Sequence, residues 1–152
     1  METVKNYLID WAKHFIKNKD LVTRSIQSIE ESKENADLLI TRTDKTQYVY
    51  VEPILKQPEL FFEKLNRERH ITLFLLNCPD NIKMLQEVWN TIKHFSHLTI
   101  YFINPFSEET KWVIQPAMHE RISDRDTFKT GLKSMSEQVA PITPEQLGKK
   151  IA

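Results

Sequence analysis

Glycine is almost missing from this chain, whose 152 residues include only Gly131 and Gly148. Loops that cradle a phosphate group need glycine, because a residue without a Cβ allows positive φ and close approach of the backbone to the ligand. The first 130 residues therefore hold neither a Walker loop nor a dinucleotide-binding fingerprint. The glycine-rich loop of protein kinases and the G-x-S-x-G motif of hydrolases are missing too.

The chain has only one cysteine and no net charge. With a single cysteine, Cys78, the chain forms neither an internal disulfide nor a multi-cysteine zinc site. Lys and Arg number 21, as do Asp and Glu, so the formal net charge is zero. Dedicated nucleic-acid binders usually carry a basic surplus, and its lack predicts weak binding to duplex DNA. A local basic groove is still compatible with this balance.

Long apolar runs are missing as well. The longest, Leu73 to Leu76, is far too short to span a bilayer. The N-terminal segment is charged at Lys5, Asp10 and Lys13 and lacks the continuous apolar stretch of a signal peptide. We therefore expect a cytoplasmic protein without membrane contact, and a free cysteine suits that compartment.

The residues that are present predict a folded domain. Apolar residues make up 40% of the chain and aromatic residues 10%, which is a globular composition. A chain of this size buries about 70% of the surface that it exposes when unfolded. No linker, internal repeat or low-complexity segment divides it, so we predict one domain over residues 1–152.

The N-terminal part predicts a helix and then a strand. Apolar residues recur at helical spacing over 3–18. Residues 21–30 fit either a helix or a strand, and their β-branched content favours a strand. Residues 31–36 are polar and predict a connection.

The strongest strand signals lie at 37–43 and 47–53, with Asp44-Lys45 as the turn between them. A symmetric loop at that turn sets Ile40 opposite Val49. The same register sets Asp37 opposite Glu52. Apolar residues occur on both faces of this hairpin, so we expect a sheet that is covered on both sides.

The rest of the chain alternates helices and strands. We predict a helix over 59–68 with Leu60 inward, a strand over 70–77, a helix from Pro79 to about Phe95, and a strand over 98–104. A helix between two strands favours a parallel pair with a right-handed crossover.

The C-terminal part predicts an edge strand over 111–115 that ends at Pro116. The spacing of Ser123 and Asp126 predicts a capping box that starts another helix. Residues 141–152 are expected to form a fraying tail. The whole order predicts a three-layer α/β sandwich: a mixed sheet with an antiparallel meander, a parallel βαβ unit and helices on both faces.

Asp37 and Glu52 are the candidate site residues. Directly opposed strand residues have Cβ atoms ~5 Å apart on one face, so two carboxylates there could jointly hold Mg²⁺. A metal so bound activates water and stabilises charge on a phosphodiester. The alternative is a solvated carboxylate pair at two strand ends.

The segments Ala36-Asp37-Leu-Leu-Ile and Tyr50-Val51-Glu52-Pro53-Ile54, in this order of elements, resemble the PD-(D/E)XK nuclease-like superfamily. That superfamily includes archaeal Holliday-junction resolvases and restriction enzymes. The resemblance covers about residues 3–104 and implies a restriction-endonuclease-like domain in which Asp37 and Glu52 are catalytic metal ligands. The family lysine belongs two residues after the glutamate, where this chain has Ile54. A lysine from elsewhere, such as Lys13, would be needed to complete the motif.

Because this motif is incomplete, we expect a catalytically inactive relative that acts as a binding or scaffold module for a protein partner or a second copy. The alternative is a Mg²⁺-dependent nuclease or nucleic-acid-processing subunit that uses Asp37 and Glu52.

Other side chains give weaker signals. His94 and His97 stand at an i, i+3 spacing that suits one metal, but zinc needs more ligands. Cys78 precedes a helix, where its thiol pKa could fall, although a packed cysteine is the commoner case. Trp112 and Phe106 are core residues or, if exposed, interface residues.

Overall fold

The structure is a computed structural model that describes residues 3–122 and 124–152. The strands are β1 (Ile26–Lys33), β2 (Ala36–Arg42), β3 (Thr46–Glu52), β4 (His70–Leu76), β5 (Leu98–Ile103) and β6 (Lys111–Ile114). The helices are α1 (Val4–Thr23), α2 (Pro58–Glu63), α3 (Pro79–Glu87), α4 (Trp89–Ile92), α5 (Pro116–Ile122), α6 (Phe128–Ser136) and α7 (Pro144–Ile151), with a 3₁₀ turn over Arg125–Thr127. No helix in this part of the chain has both the length and the apolar character to cross a membrane.

The strands lie side by side in chain order in one six-stranded sheet. β1, β2 and β3 form an antiparallel meander, β3, β4 and β5 run parallel, and β6 returns antiparallel at the edge. The predicted parallel pair and the predicted edge strand are both confirmed. The carboxyl ends of the three parallel strands therefore share one end of the sheet.

Alternation along β4 divides the core into two layers. Phe74 and Leu76 pack against α1 and α7 on one face of the sheet. Leu73 and Leu75 pack against α2, α3, α4 and α6 on the other face. The predicted three-layer α/β sandwich, with a mixed sheet between two helical layers, is confirmed.

The sequence predicted one strand over residues 21–30, but the structure divides this segment between a helix and a strand. Helix α1 continues through the first three of them to Thr23, and its C-cap residue, Arg24, has a left-handed φ of 51°. The carboxylate of Asp20 accepts the N–H groups of Ser25 and Ile26 and so directs the chain into β1. Part of the β-branched content that favoured a strand thus belongs to the last turn of a helix.

Residues 31–36 are not a polar connection either. β1 runs to Lys33, which pairs with Ala36 across a two-residue turn. Glu34 and Asn35 have φ values of 52° and 66°, the positive values that a type I′ hairpin turn requires. Glycine usually marks such a turn, and without it the hairpin gave no clear signal.

The helices after β3 are shorter than predicted. α2 ends at Glu63, and Leu60 is 45% exposed although it was predicted to point inward. The helix predicted from Pro79 onward divides at Val88, whose φ of −102° and ψ of 9° leave the helical region. Helix α5 was not predicted. The capping box predicted at Ser123 lies outside the described residues.

The C-terminal segment 141–152, predicted to fray, contains helix α7 instead. Thr143 and Gln146 form a reciprocal capping box at its start, which satisfies two backbone donors. Leu147 is fully buried in the core layer that α1 also covers. The capping signal was present in the sequence, but Pro141 and Pro144 favoured the prediction of a frayed tail.

Candidate functional site

A cleft of about 1600 Å³ opens at the end of the sheet where β3 ends and β2 begins. It is bounded by the β2–β3 hairpin, the first turn of α1, the segments around α2, and the start of α7. Both predicted site residues, Asp37 and Glu52, line this cleft. The fold therefore places the candidate carboxylates in a concave surface large enough for a substrate.

The predicted β2–β3 hairpin is confirmed, but its predicted register is wrong by two residues. Leu38 lies opposite Val49, where Ile40 was expected. A shift of two positions keeps every side chain on its original face, whereas a shift of one would have reversed it. Asp37 and Glu52 are therefore on one face but are not direct partners.

The turn of this hairpin is held by contacts with the end of α1 and the start of β1. The backbone N–H of Thr43 donates to the carbonyl oxygen of Ser25 at 2.9 Å. The guanidinium of Arg42 donates to Asp20 at 3.3 Å and to Gln47 at 3.0 Å. These bonds centre the turn one residue earlier than Asp44-Lys45, which accounts for the change of register.

Lys5, in the first turn of α1, joins the two carboxylates. Its Nζ atom lies 3.3 Å from Oδ1 of Asp37 and 3.2 Å from Oε1 of Glu52. The side chains are 42%, 20% and 33% exposed, in that order, so the cluster is partly shielded and still open to the cleft. The structure thus assembles two acids and one lysine from three separate elements.

Asp37 is also fixed through its second oxygen. Oδ2 accepts the backbone N–H of Val51 at 2.8 Å, just beyond the last paired residues of the hairpin. The carboxylate therefore replaces a ladder contact where the two strands separate, and its orientation is set by the backbone of β3.

The environment of Lys5 favours its charged form. Partial burial lowers the pKa of the ammonium group, but the nearby charges of Asp37 and Glu52, and their hydrogen bonds with it, outweigh burial and raise the pKa above 10.5. Lys5 therefore stays protonated throughout the physiological range and can act as a fixed positive charge.

Lys5 was not predicted as a site residue, because no local spacing links it with Asp37 or Glu52. One signal was present: the first turn of a helix favours acidic residues, and here it carries a lysine. Lys13, the lysine named as a possible substitute, points elsewhere and lies 3.1 Å from Glu31.

The two carboxylates meet the minimum requirement for a magnesium ion but not for zinc. Within the described ranges, no three His, Cys, Asp or Glu side chains cluster as metal ligands. Mg²⁺ is often held by one or two carboxylates together with substrate phosphates and water. Asp37 and Glu52 therefore fit a metal that binds jointly with a phosphate.

The cleft carries charges of both signs. Lys56, Lys64 and Arg69 line it before and after α2. Acidic residues also line it, namely Glu34, Asp37, Glu52, Asp80 and Glu145. The basic residues thus form a local group in a cleft without an overall positive field.

The histidine pair named as a possible metal site does not form one within the described part of the chain. The ring of His97 lies 4.3 Å from that of His70, at the end of the parallel strands opposite the one that holds Glu52. Burial and the neighbouring His97 lower the pKa of His70. His119 contacts Trp89 edge-on.

Cys78 and Trp112 are core residues. Cys78 is 3% exposed, and burial raises the pKa of its thiol, so the packed interpretation is confirmed. Trp112 stacks on Phe102 and donates to Asn77 at 2.8 Å. Phe106, in contrast, is 47% exposed.

No protein-family model matches this chain, and neither a curated protein nor a solved structure is significantly similar to it. The geometry of the cleft is therefore the basis on which a function can be inferred.

Proposed function

We propose that this chain is a metal-dependent phosphodiesterase of nuclease type, with Asp37, Glu52 and Lys5 as its active-site residues. The observation that carries the proposal is the position of Lys5, whose ammonium group contacts both carboxylates in an open cleft. The missing family lysine at position 54 was the reason to expect an inactive protein. A lysine from α1 offers the same charge.

The order of elements also supports this proposal. A helix, an antiparallel meander and a helix are followed by a strand parallel to the third meander strand. This is the arrangement that the resemblance to the PD-(D/E)XK superfamily implies. The two acids stand at the start of β2 and at the end of β3, beside the point where these strands separate.

Each residue has a distinct role in this mechanism. Magnesium, when bound, would activate water and stabilise charge on the phosphodiester. Asp37 and Glu52 supply its oxygen ligands, and Asp37 is oriented by Val51. The ammonium group of Lys5, which contacts both acids, would offset negative charge on a phosphate oxygen beside them.

The test is cleavage of labelled single-stranded, duplex and branched DNA with Mg²⁺ or Mn²⁺. We expect cleavage by the unmodified chain, and a loss of ~10²–10³ in rate for Glu52→Gln and for Lys5→Met. Lys13→Met is the matched control, because Lys13 lies on the same helix and pairs with an acid outside the cleft. Equal background from the unmodified chain and Glu52→Gln would contradict the proposal.

A binding or scaffold role is the second candidate. It is favoured by the same ion pairs, because Lys5 neutralises both carboxylates without a metal. In that case Lys5→Met lowers the melting temperature, Mg²⁺ changes nothing, and no variant differs in cleavage. Under the catalytic proposal, Mg²⁺ restores stability to Lys5→Met by supplying the missing positive charge.

A further inference from the structure

One strand of the cleft wall carries two tyrosines in line with the acid pair. Tyr48, Tyr50 and Glu52 occupy alternate positions on β3 and therefore share a face. Tyr50 lines the cleft and meets Phe61 edge-to-face, with centroids 5.3 Å apart. An aromatic surface thus continues from the candidate catalytic residues along the strand.

Arg69 extends this surface. Its guanidinium carbon lies 4.5 Å from the ring centroid of Tyr48, so the planar group covers one face of the tyrosine. Arg69 is itself exposed and lines the cleft, so its outer side faces solvent. A planar cation held on an aromatic ring is a surface on which a nucleobase stacks.

We propose that the cleft binds single-stranded nucleic acid, with a base stacked on Arg69 above Tyr48. This inference deepens the proposed function and rests on it for the identity of the cleaved bond. The feature that the cleft recognises is an unpaired base, in either DNA or RNA.

The charge distribution favours a single strand over a duplex. A duplex hides its base faces and is bound mainly by neutralising many phosphates. This cleft offers four basic side chains, Lys5, Lys56, Lys64 and Arg69, against five acidic ones. Stacking on aromatic and guanidinium groups needs fewer cations, since every base has a π-face.

The spacing is also compatible with one bound strand. Tyr48 stands four residues from Glu52 on an extended strand, which is ~13 Å. A base on Arg69 and a phosphate beside Asp37 and Glu52 can therefore belong to the same strand, a few nucleotides apart. Leu60, 45% exposed, adds apolar surface to the cleft wall.

The test is fluorescence anisotropy with the full chain in EDTA, which prevents metal-dependent cleavage. The probes are a single-stranded DNA, a single-stranded RNA and a DNA duplex of equal length at physiological salt. We expect a single-stranded probe to bind at least ~10-fold more tightly than the duplex, and Arg69→Ala to weaken that binding ~10-fold or more.

Two further variants separate stacking from charge. Arg69→Lys keeps the charge but loses the planar group, so we expect it to weaken single-strand binding nearly as much as Arg69→Ala. Arg67→Ala removes the same charge from an exposed residue that does not line the cleft, and we expect little change. Both positions are exposed, so melting temperatures should stay close to that of the unmodified chain.

Duplex binding as tight as single-strand binding would overturn the inference, as would equal losses from Arg69→Ala and Arg67→Ala. These failures are distinct from failure of the proposed function. Arg69-dependent binding without any metal-dependent cleavage would support the single-strand site and refute the catalysis. Cleavage that depends on Glu52, without binding that depends on Arg69, would support the catalysis and refute the single-strand site.

Discussion

Asp20 organises the corner at which α1 passes into the sheet. Its carboxylate accepts hydrogen bonds from the backbone and hydroxyl of Ser25, the backbone of Ile26 and the hydroxyl of Thr23. Arg42 also pairs with it at 3.3 Å. Burial raises the pKa of Asp20, but the donated hydrogen bonds outweigh burial and lower it to about 2.

This lowered pKa predicts an acid-dependent loss of stability. The folded state keeps Asp20 ionised where the unfolded chain, with an ordinary pKa of 3.8, takes up a proton. The stability that Asp20 contributes is therefore fully present above about pH 4 and is lost as the pH falls through about 2. We expect Asp20→Asn to lower the free energy of unfolding at pH 7.

Urea unfolding at pH 7, 4, 3 and 2 measures this effect. The difference between the unmodified chain and Asp20→Asn should shrink as the pH falls from 4 to 2. Asp10→Asn, on an exposed part of the same helix, is the control and should leave the pH profile unchanged. A constant difference at every pH would show that the hydrogen bonds do not depend on the charge.

The side of the sheet on which the two acids lie was predictable because its determinant is local. The face shared by Asp37 and Glu52 depends only on the two-residue period of a strand, so it survived an error of two residues in register. Lys5 could not be placed, because its position depends on how α1 docks across the meander. That docking is a tertiary arrangement that no local spacing encodes.

At the level of the elements, the apolar strands were predictable because they lie in the interior of the sheet. β4 and β5 are buried on both faces and appear in the sequence as nearly continuous apolar runs. β1 is an exposed edge strand, and its charged last residues, which include Glu31 and Lys33, gave the pattern of a polar connection. The predicted helix ends were wrong where a side chain ends the helix, as Asp20 does in α1.

Helix α7 gives a prediction about stability. Leu147 is fully buried in the layer that contains α1. We expect Leu147→Ala to lower the free energy of unfolding by about 2–5 kcal/mol, because it leaves a cavity in the core. Chemical denaturation measures the change.

Lys149→Ala, on the exposed side of the same helix, is the control and should change stability by no more than about 0.5 kcal/mol. If Leu147→Ala changed stability no more than Lys149→Ala does, α7 would not be part of the cooperative fold.

Over the whole molecule, positive and negative charges balance in the full chain, and the cleft lining carries four basic and five acidic side chains. Long-range attraction toward a polyanion is therefore weak, and affinity must come from short-range contacts. The charge distribution therefore does not favour binding of duplex DNA.

We accordingly expect duplex DNA to bind with a dissociation constant above ~1 µM at physiological salt, with a shallow dependence on salt concentration. A fluorescence titration at several salt concentrations measures both quantities. Submicromolar binding that weakens steeply with salt would reveal a phosphate-binding surface outside the cleft.

The ion pairs of Lys5 connect residues that are far apart in the chain, since Glu52 lies 47 positions away. The unfolded chain cannot present this arrangement, so a ligand that needs all three side chains binds the native state alone. By mass action, such a ligand at 100 times its dissociation constant raises the free energy of unfolding by about 2.7 kcal/mol. Thermal denaturation of the unmodified chain beside Lys5→Met can therefore screen nucleotides and oligonucleotides for occupancy of the cleft before any reaction is known.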